Sequence, residues 1–153
     1  MANRVDTKNL DRTFKNLIKN IKSTQNMKKL GGFAIKTIRD RTRNEGKGVS
    51  RSGGNLRKLR NVSDEWAIRR QAFKRHPKAA SGTSSNLTFQ GTMLDSMILK
   101  SVKPTGFFIG FRTGKEADKA EGNEARGRPF MYLGAVEIRD AATFVKKNIL
   151  KGI

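Results

Sequence analysis

Three groups of side chains in this 153-residue sequence are of types that do chemistry: a single histidine, His76; four neighbouring carboxylates, Glu116, Asp118, Glu121 and Glu124; and a run of cations from Arg39 to Arg60. A nucleophilic triad needs an imidazole held between a hydroxyl and a carboxylate. No convincing Ser/Asp pair lies near His76, and Pro77 follows it directly, which marks an exposed residue where a helix stops. Cysteine is absent, so thiol catalysis, disulfides and thiolate zinc sites are excluded. One histidine excludes a multi-histidine metal site. The four carboxylates do not follow the Asp-x-Asn/Asp-x-Asn/Asp-Gly spacing of a calcium loop. Asp118 or Glu121 as a hydrolytic acid is the remaining enzymatic option, and no paired carboxylate or phosphate-cradling motif supports it. The sequence therefore predicts no catalytic residue, no cofactor and no metal.

The cations are the stronger signal. Arg39, Arg41, Arg43, Lys47, Arg51, Arg57, Lys58 and Arg60 are interspersed with Gly46, Gly48, Gly53 and Gly54, and only Asp40 and Glu45 oppose them. Apolar periodicity is missing until Leu56 and Leu59. The pattern predicts a long basic Gly-rich loop over 39–60 that meets nucleic acid or a protein partner by charge and reach. The whole chain carries 33 Lys+Arg against 13 Asp+Glu, a net charge of +20. Residues 1–80 hold 22 basic and 6 acidic groups, a net +16, so the N-terminal half carries the field. Such a field neutralises nucleic acid directly or matches an acidic neighbour. Aromatic residues make up only 7% of the chain, which argues against a base-stacking track.

The elements that hold these groups can be read from periodicity. Leu10, Phe14, Leu17, Ile18 and Ile21 fall at helical spacing, with lysines and Arg12 opposite, and predict an amphipathic helix that packs on its own domain. A membrane-surface helix would need a larger apolar face, and no run approaches the roughly 20 apolar residues of a membrane span. The polar N-terminus lacks a signal-peptide core, which points to synthesis in a cytoplasm. Met27, Leu30, Ala34, Ile35 and Ile38 continue helically, with a break or a closely packed bend at Gly31-Gly32. Ser63-Asp64-Glu65-Trp66 starts a capped helix whose apolar side is Trp66, Ala67 and Phe73, ending at His76-Pro77. A helical turn is expected near Met93. An antiparallel hairpin from Ile98 to Phe111 follows, turning at Pro104 and Gly106, with Phe107, Ile109 and Phe111 on its buried face. Residues 113–127 read as a solvent-facing flap loop. Pro129 suits the entrance of a last helix anchored by Phe130.

Three stretches resemble the virion morphogenesis group of tailed bacteriophages, the neck or tail-completion proteins. Leu59-Arg60-Asn61-Val62-Ser63-Asp64-Glu65-Trp66 is similar to that family's Leu-Ser-x-x-aromatic helix start. Asn86-Leu87-Thr88-Phe89-Gln90-Gly91-Thr92-Met93-Leu94-Asp95-Ser96-Met97 is similar to its Leu-x-x-Thr-Gly-x-Leu-x-x-Ser-Ile block, with Gln90 in place of the Thr. Gly127-Arg128-Pro129-Phe130-Met131-Tyr132-Leu133 is similar to its Arg-Pro-Phe motif. Residues 57–150 carry the resemblance, through Ser63, Trp66, Leu87, Gly91, Met93, Ser96, Arg128, Pro129 and Phe130. The first 56 residues are longer and more basic than the family pattern.

The resemblance implies a non-enzymatic α+β subunit, six or twelve copies to a ring, that joins the DNA-filled head to the tail. Its partners would be portal or adaptor proteins and the tail terminator or tube, with nonspecific contact to genomic DNA and none to membrane; it would reside in the virion neck after assembly in the host cytoplasm. The competing expectation, from charge alone, is a sequence-nonspecific nucleic-acid-binding accessory protein. The expected architecture is one α+β domain over 1–153. It comprises an N-terminal helical segment over 1–38, the basic loop over 39–60, and a core over 61–153 containing the flap. In that core a small antiparallel sheet packs with the amphipathic N-terminal helix and the C-terminal helix.

Overall fold

Ser23 opens the longest helix of the fold, its hydroxyl accepting from the Asn26 amide at 3.0 Å. The computed structural model describes residues 19, 21–50, 53–73, 75–88 and 90–151. The helix expected over 10–21 falls almost wholly outside them, as does Arg51. Helix α1 runs Thr24–Glu45 and ends at Gly46, whose left-handed φ of 60° lets its N–H reach the Thr42 carbonyl.

Helix α1 passes through Gly31-Gly32 without interruption. A Cβ at Gly31 would lie 2.5 Å from Leu99 Cδ2 and 3.2 Å from Phe107 Cδ2, so this glycine lets the helix lie close on the hairpin. Gly32 has open space around it. The close-packing half of the sequence expectation is therefore met at Gly31. The helix also continues seven residues into the segment expected to be a loop. Ala34, Ile38, Arg41 and Thr42 are its buried face, at i, i+4, i+7 and i+8.

Beyond α1 lies a short ribbon. Strands β1 (Lys47–Gly48) and β2 (Arg57–Lys58) pair antiparallel, Lys47 opposite Lys58 and Gly48 opposite Arg57. The expected basic loop is thus the end of a helix followed by a hairpin, and the hairpin is anchored. Val49 and Leu59 are buried, and the Ala135 amide donates to the Gly54 carbonyl at 3.0 Å. A Cβ on Gly48 would sit 1.9 Å from the Pro129 carbonyl oxygen, so only glycine fits there.

Helix α2 (Asp64–Arg69) starts at Ser63, as its sequence predicts, with the hydroxyl accepting from the Trp66 amide at 3.2 Å. A 3-10 turn over Arg70–Ala72 finishes it, short of His76-Pro77. His76 is half-buried rather than exposed; its Nδ1 accepts from the Lys78 amide and its ring packs beside Gly91. Helix α3 (Thr92–Asp95) leads into strands β3 (Met97–Lys103) and β4 (Gly106–Phe111), the expected hairpin. Its register slips between Leu99 and Ser101, which leaves Phe111 buried, Phe107 and Ile109 half-buried, and Phe108 exposed.

The expected flap is a helix. Helix α4 (Gly114–Ala125) is capped by Thr113, and its inner face is Glu116, Ala117 and Ala120, alanines that make no visible apolar period. The last helix, α5 (Ala135–Asn148), begins six residues after Pro129, which therefore sits in extended lead-in chain rather than at a helix entrance. Val136 and Ile138, apolar residues of this helix, are exposed. Phe130 is fully buried, as expected, in one core with Ile38, Met93, Leu94, Met97, Phe111 and Ala120. Phe33 and Phe144 stack at 4.7 Å between α1 and α5. The chain is α+β: among the described residues, two small antiparallel sheets pack with an N-terminal and a C-terminal helix. Among the described residues no helix is long and apolar enough to cross a membrane.

Candidate functional site

The cations read as a single contact loop divide into two sets. Arg39, Arg41 and Arg43 lie on the last turns of α1 and grip the fold. Arg39 Nε donates to the Leu94 carbonyl at 3.0 Å, and Arg43 pairs with Asp95 at 2.7 Å. Arg41 is 4% exposed and donates to Glu137 and to the carbonyls of Phe130 and Tyr132. Burial pushes its guanidinium down in pKa, and the Glu137 charge opposes that. Arg41 is a structural pin and not a surface contact. The second set faces solvent: Arg57 and Lys58 on β2, Arg60 just after it, and half-exposed Lys47, which pairs with Glu45 at 3.0 Å. Lys47 and Lys58 stand directly across the ribbon, a like-charge pair that is unfavourable by itself.

A groove of about 750 Å³ opens elsewhere, between α2, the 85–93 segment and α4. Val62, Trp66, Phe73, Leu87 and Met93 give it an apolar surface. Trp66 and Phe73, expected to pack inward, are instead 42% and 55% exposed. Ser63, Asn86, Thr88, Gln90 and Asn123 add neutral polar groups. Arg70, Lys119, Arg126 and Arg128 are its charged residues, and no carboxylate lines it among the described residues. Trp66, Arg70 and Phe73 follow each other at i, i+4 and i+7, the spacing from which a shared face is legible. Arg70, Lys119 and Arg126 were not among the residues singled out from sequence.

The electrostatics of this groove are one-sided. Lys119 pairs with Glu116 at 2.9 Å, but Arg70, Arg126 and Arg128 have no ion pair among the described residues. Arg70 is 5% exposed and rests on the carbonyls of Gly82 and Ser84, leaving its buried Nε without a partner. Arg128 donates to the carbonyls of Arg60 and Asn61 at 2.9 and 3.1 Å. Burial lowers the pKa of both, and neighbouring cations lower it further: Arg75 for Arg70, and Arg126 with Arg60 for Arg128. These are desolvated positive charges in the field of other positive charges.

One wall of the groove is held in a costly conformation. Leu87 has a φ of 52°, a region a branched side chain rarely adopts. The Asn86 side chain holds it there, accepting from the Ala80 and Thr88 amides and donating to the carbonyls of Arg43 and Lys78. Thr88 Oγ1 closes the turn on the Asn86 carbonyl at 2.8 Å. Such strain, about 1–3 kcal/mol, persists where surrounding contacts over-determine it.

The residues that carry the family resemblance meet here. Ser63 and Trp66 of the first stretch, Leu87, Gly91 and Met93 of the second, and Arg128 of the third all line the groove. The others support it from behind: Ser96 donates to the Met93 carbonyl, Pro129 abuts Gly48, and Phe130 fills the core. Among the described residues no group of three or more His, Asp or Glu is arranged to hold a metal ion. Comparison with protein-family models, with curated proteins and with solved structures finds no match to this chain.

Proposed function

We propose that this chain is a structural subunit of a tailed-bacteriophage neck, a ring-forming tail-completion protein that joins the DNA-filled head to the tail without catalysing a reaction. The observation that carries the reading is the convergence of motif residues from three separate segments, 63–66, 87–93 and 128, on one groove. A groove with an apolar floor and unpaired cations is built to be gripped by a neighbour. The solvent-facing ribbon cations suit a position beside packaged DNA, because phosphate charge is neutralised without sequence reading. Removing the gene from the phage that carries it tests the reading. The expected lysate holds DNA-filled heads and free tails that do not join, and adding back the purified chain restores joining. Normal virions from the deletion would overturn it.

The ribbon also supports a second reading, a sequence-nonspecific nucleic-acid-binding accessory protein. The two differ in where affinity resides. A dedicated binder holds free duplex tightly, with affinity falling steeply as salt rises. A neck subunit binds free duplex weakly and binds portal-containing heads well.

A further inference from the structure

We infer that the groove between α2 and α4 docks an extended acidic segment of another protein, with apolar side chains interleaved among its carboxylates. The inference rests on the neck reading of the chain as a docking subunit and adds the chemistry of what docks. Arg70 is the strongest pointer. It is almost wholly buried at the groove, its Nε has no acceptor, and no carboxylate of the chain compensates it among the described residues. A buried charge with no counter-ion is costly, and although the Nε itself is sealed from solvent, a carboxylate seated in the groove lowers that cost through its field. Arg126 and Arg128 extend the same unbalanced field along the far wall. Guanidinium forks match carboxylates in bidentate geometry.

The floor decides between a peptide and a polynucleotide. Val62 and Leu87, half-buried, with exposed Trp66 and Phe73 offer apolar surface that a phosphodiester chain does not use, while Leu or Phe side chains of a peptide bury against it. Single-strand binders set aromatic faces in succession along a cationic track. Here the two aromatics are Trp66 on α2 and Phe73 directly after the 3-10 turn, too few to form such a track. Gln90, exposed at the groove, offers an amide to the carbonyls and N–H groups of an extended backbone. The chain's own undescribed N-terminal residues, 1–18, do not complement the groove. They hold four basic and two acidic groups, and the C-terminal Lys151-Gly152-Ile153 is basic as well. The occupant is therefore a different, acidic protein.

The test uses the full-length chain and two probes: a pool of short peptides randomised over Asp, Glu, Leu, Phe, Ser and Gly, and oligothymidylate. The double variant R126Q/F73S alters two exposed residues of the groove, and K28Q removes one exposed cation elsewhere on α1. Circular dichroism and the thermal midpoint establish that each variant is folded. The wild-type chain is expected to enrich peptides that mix acids with Leu or Phe. R126Q/F73S is expected to hold the enriched peptides about tenfold more weakly, and K28Q to match the wild type. Enrichment of all-acid peptides without apolar residues, or equal losses in R126Q/F73S and K28Q, would reduce the groove to bulk charge and overturn the inference. So would a variant that loses oligothymidylate but no peptide, which assigns the groove to nucleic acid. If groove variants still restore head–tail joining and no peptide is enriched, the inference falls while the neck reading stands. If peptides are enriched but the gene deletion still yields normal virions, the reverse holds.

Discussion

Arg41 and Glu137 meet inside the protein from positions 96 residues apart, both side chains almost fully buried. The same Glu137 carboxylate accepts from the Gly134 amide at 2.8 Å, and the same guanidinium holds the Phe130 and Tyr132 carbonyls. One ion pair thus fixes the end of α1, the Arg-Pro-Phe segment and the first turn of α5. Replacing Arg41 with Met leaves Glu137 buried and uncompensated, at a cost of about 3–5 kcal/mol. The double variant R41M/E137L is expected to recover part of that loss and not all, because the Phe130 and Tyr132 carbonyls still lack a donor. Urea unfolding at unchanged m-value is the measurement, and additive losses would contradict the coupling.

Gly32 on α1 and Gly48 on β1 are expected to respond in opposite directions. G32A relieves a helical glycine in open space and should stabilise the fold by about 0.5–1 kcal/mol. G48A drives a methyl into the Pro129 carbonyl and should destabilise by about 1–3 kcal/mol, displacing the ribbon from the Arg-Pro-Phe segment. Thermal midpoints of the two variants, compared with the wild type, decide it.

These sites also explain what the sequence made legible. The 97–111 hairpin, the Ser63 cap and the burial of Phe130 each rest on a local signal: a Pro-x-Gly turn with alternation, a capping hydroxyl, an aromatic directly after Pro129. The end of α1 was hidden because Arg41 and Thr42 occupy core-facing positions where periodicity looks for apolar residues. Helix α4 was hidden because its inner face is alanine, which gives no contrast against charged neighbours. The groove was legible only in part. Ser63, Trp66, Leu87, Gly91, Met93 and Arg128 were singled out through the family resemblance, but their meeting depends on tertiary packing. Arg70 is marked off from Arg69, which pairs with Glu65 on the exposed side of α2, only by its i, i+4, i+7 spacing with Trp66 and Phe73.

The ribbon is expected to be the part of the chain that touches polyanions. Neutralising Lys47, Arg57 and Lys58 to Gln should shallow the slope of log affinity for duplex DNA against log salt by roughly two to three, near 0.9 for each phosphate no longer neutralised. Lys47 contributes least because Glu45 already pairs with it. R41M, if it retains the fold, should leave that slope unchanged, since its guanidinium is inside the protein. An unchanged slope in the ribbon variant would move the DNA contact elsewhere.

Charge bears on the proposed ring as well. Each copy carries a net +20, concentrated in its N-terminal half, and cyclic symmetry would bring those halves around one axis. At physiological salt the screening length is about 8 Å, so neighbouring copies in contact still repel. The isolated chain is therefore expected to sediment as a monomer, with closed rings appearing only when an acidic partner surface or DNA supplies the opposing charge. Raising salt to about 1 M shortens the screening length to about 3 Å and should favour self-association, the opposite of its effect on DNA binding. Sedimentation velocity across that salt range separates the two behaviours. A stable ring at low salt in the absence of any partner would show that contacts between copies outweigh their charge.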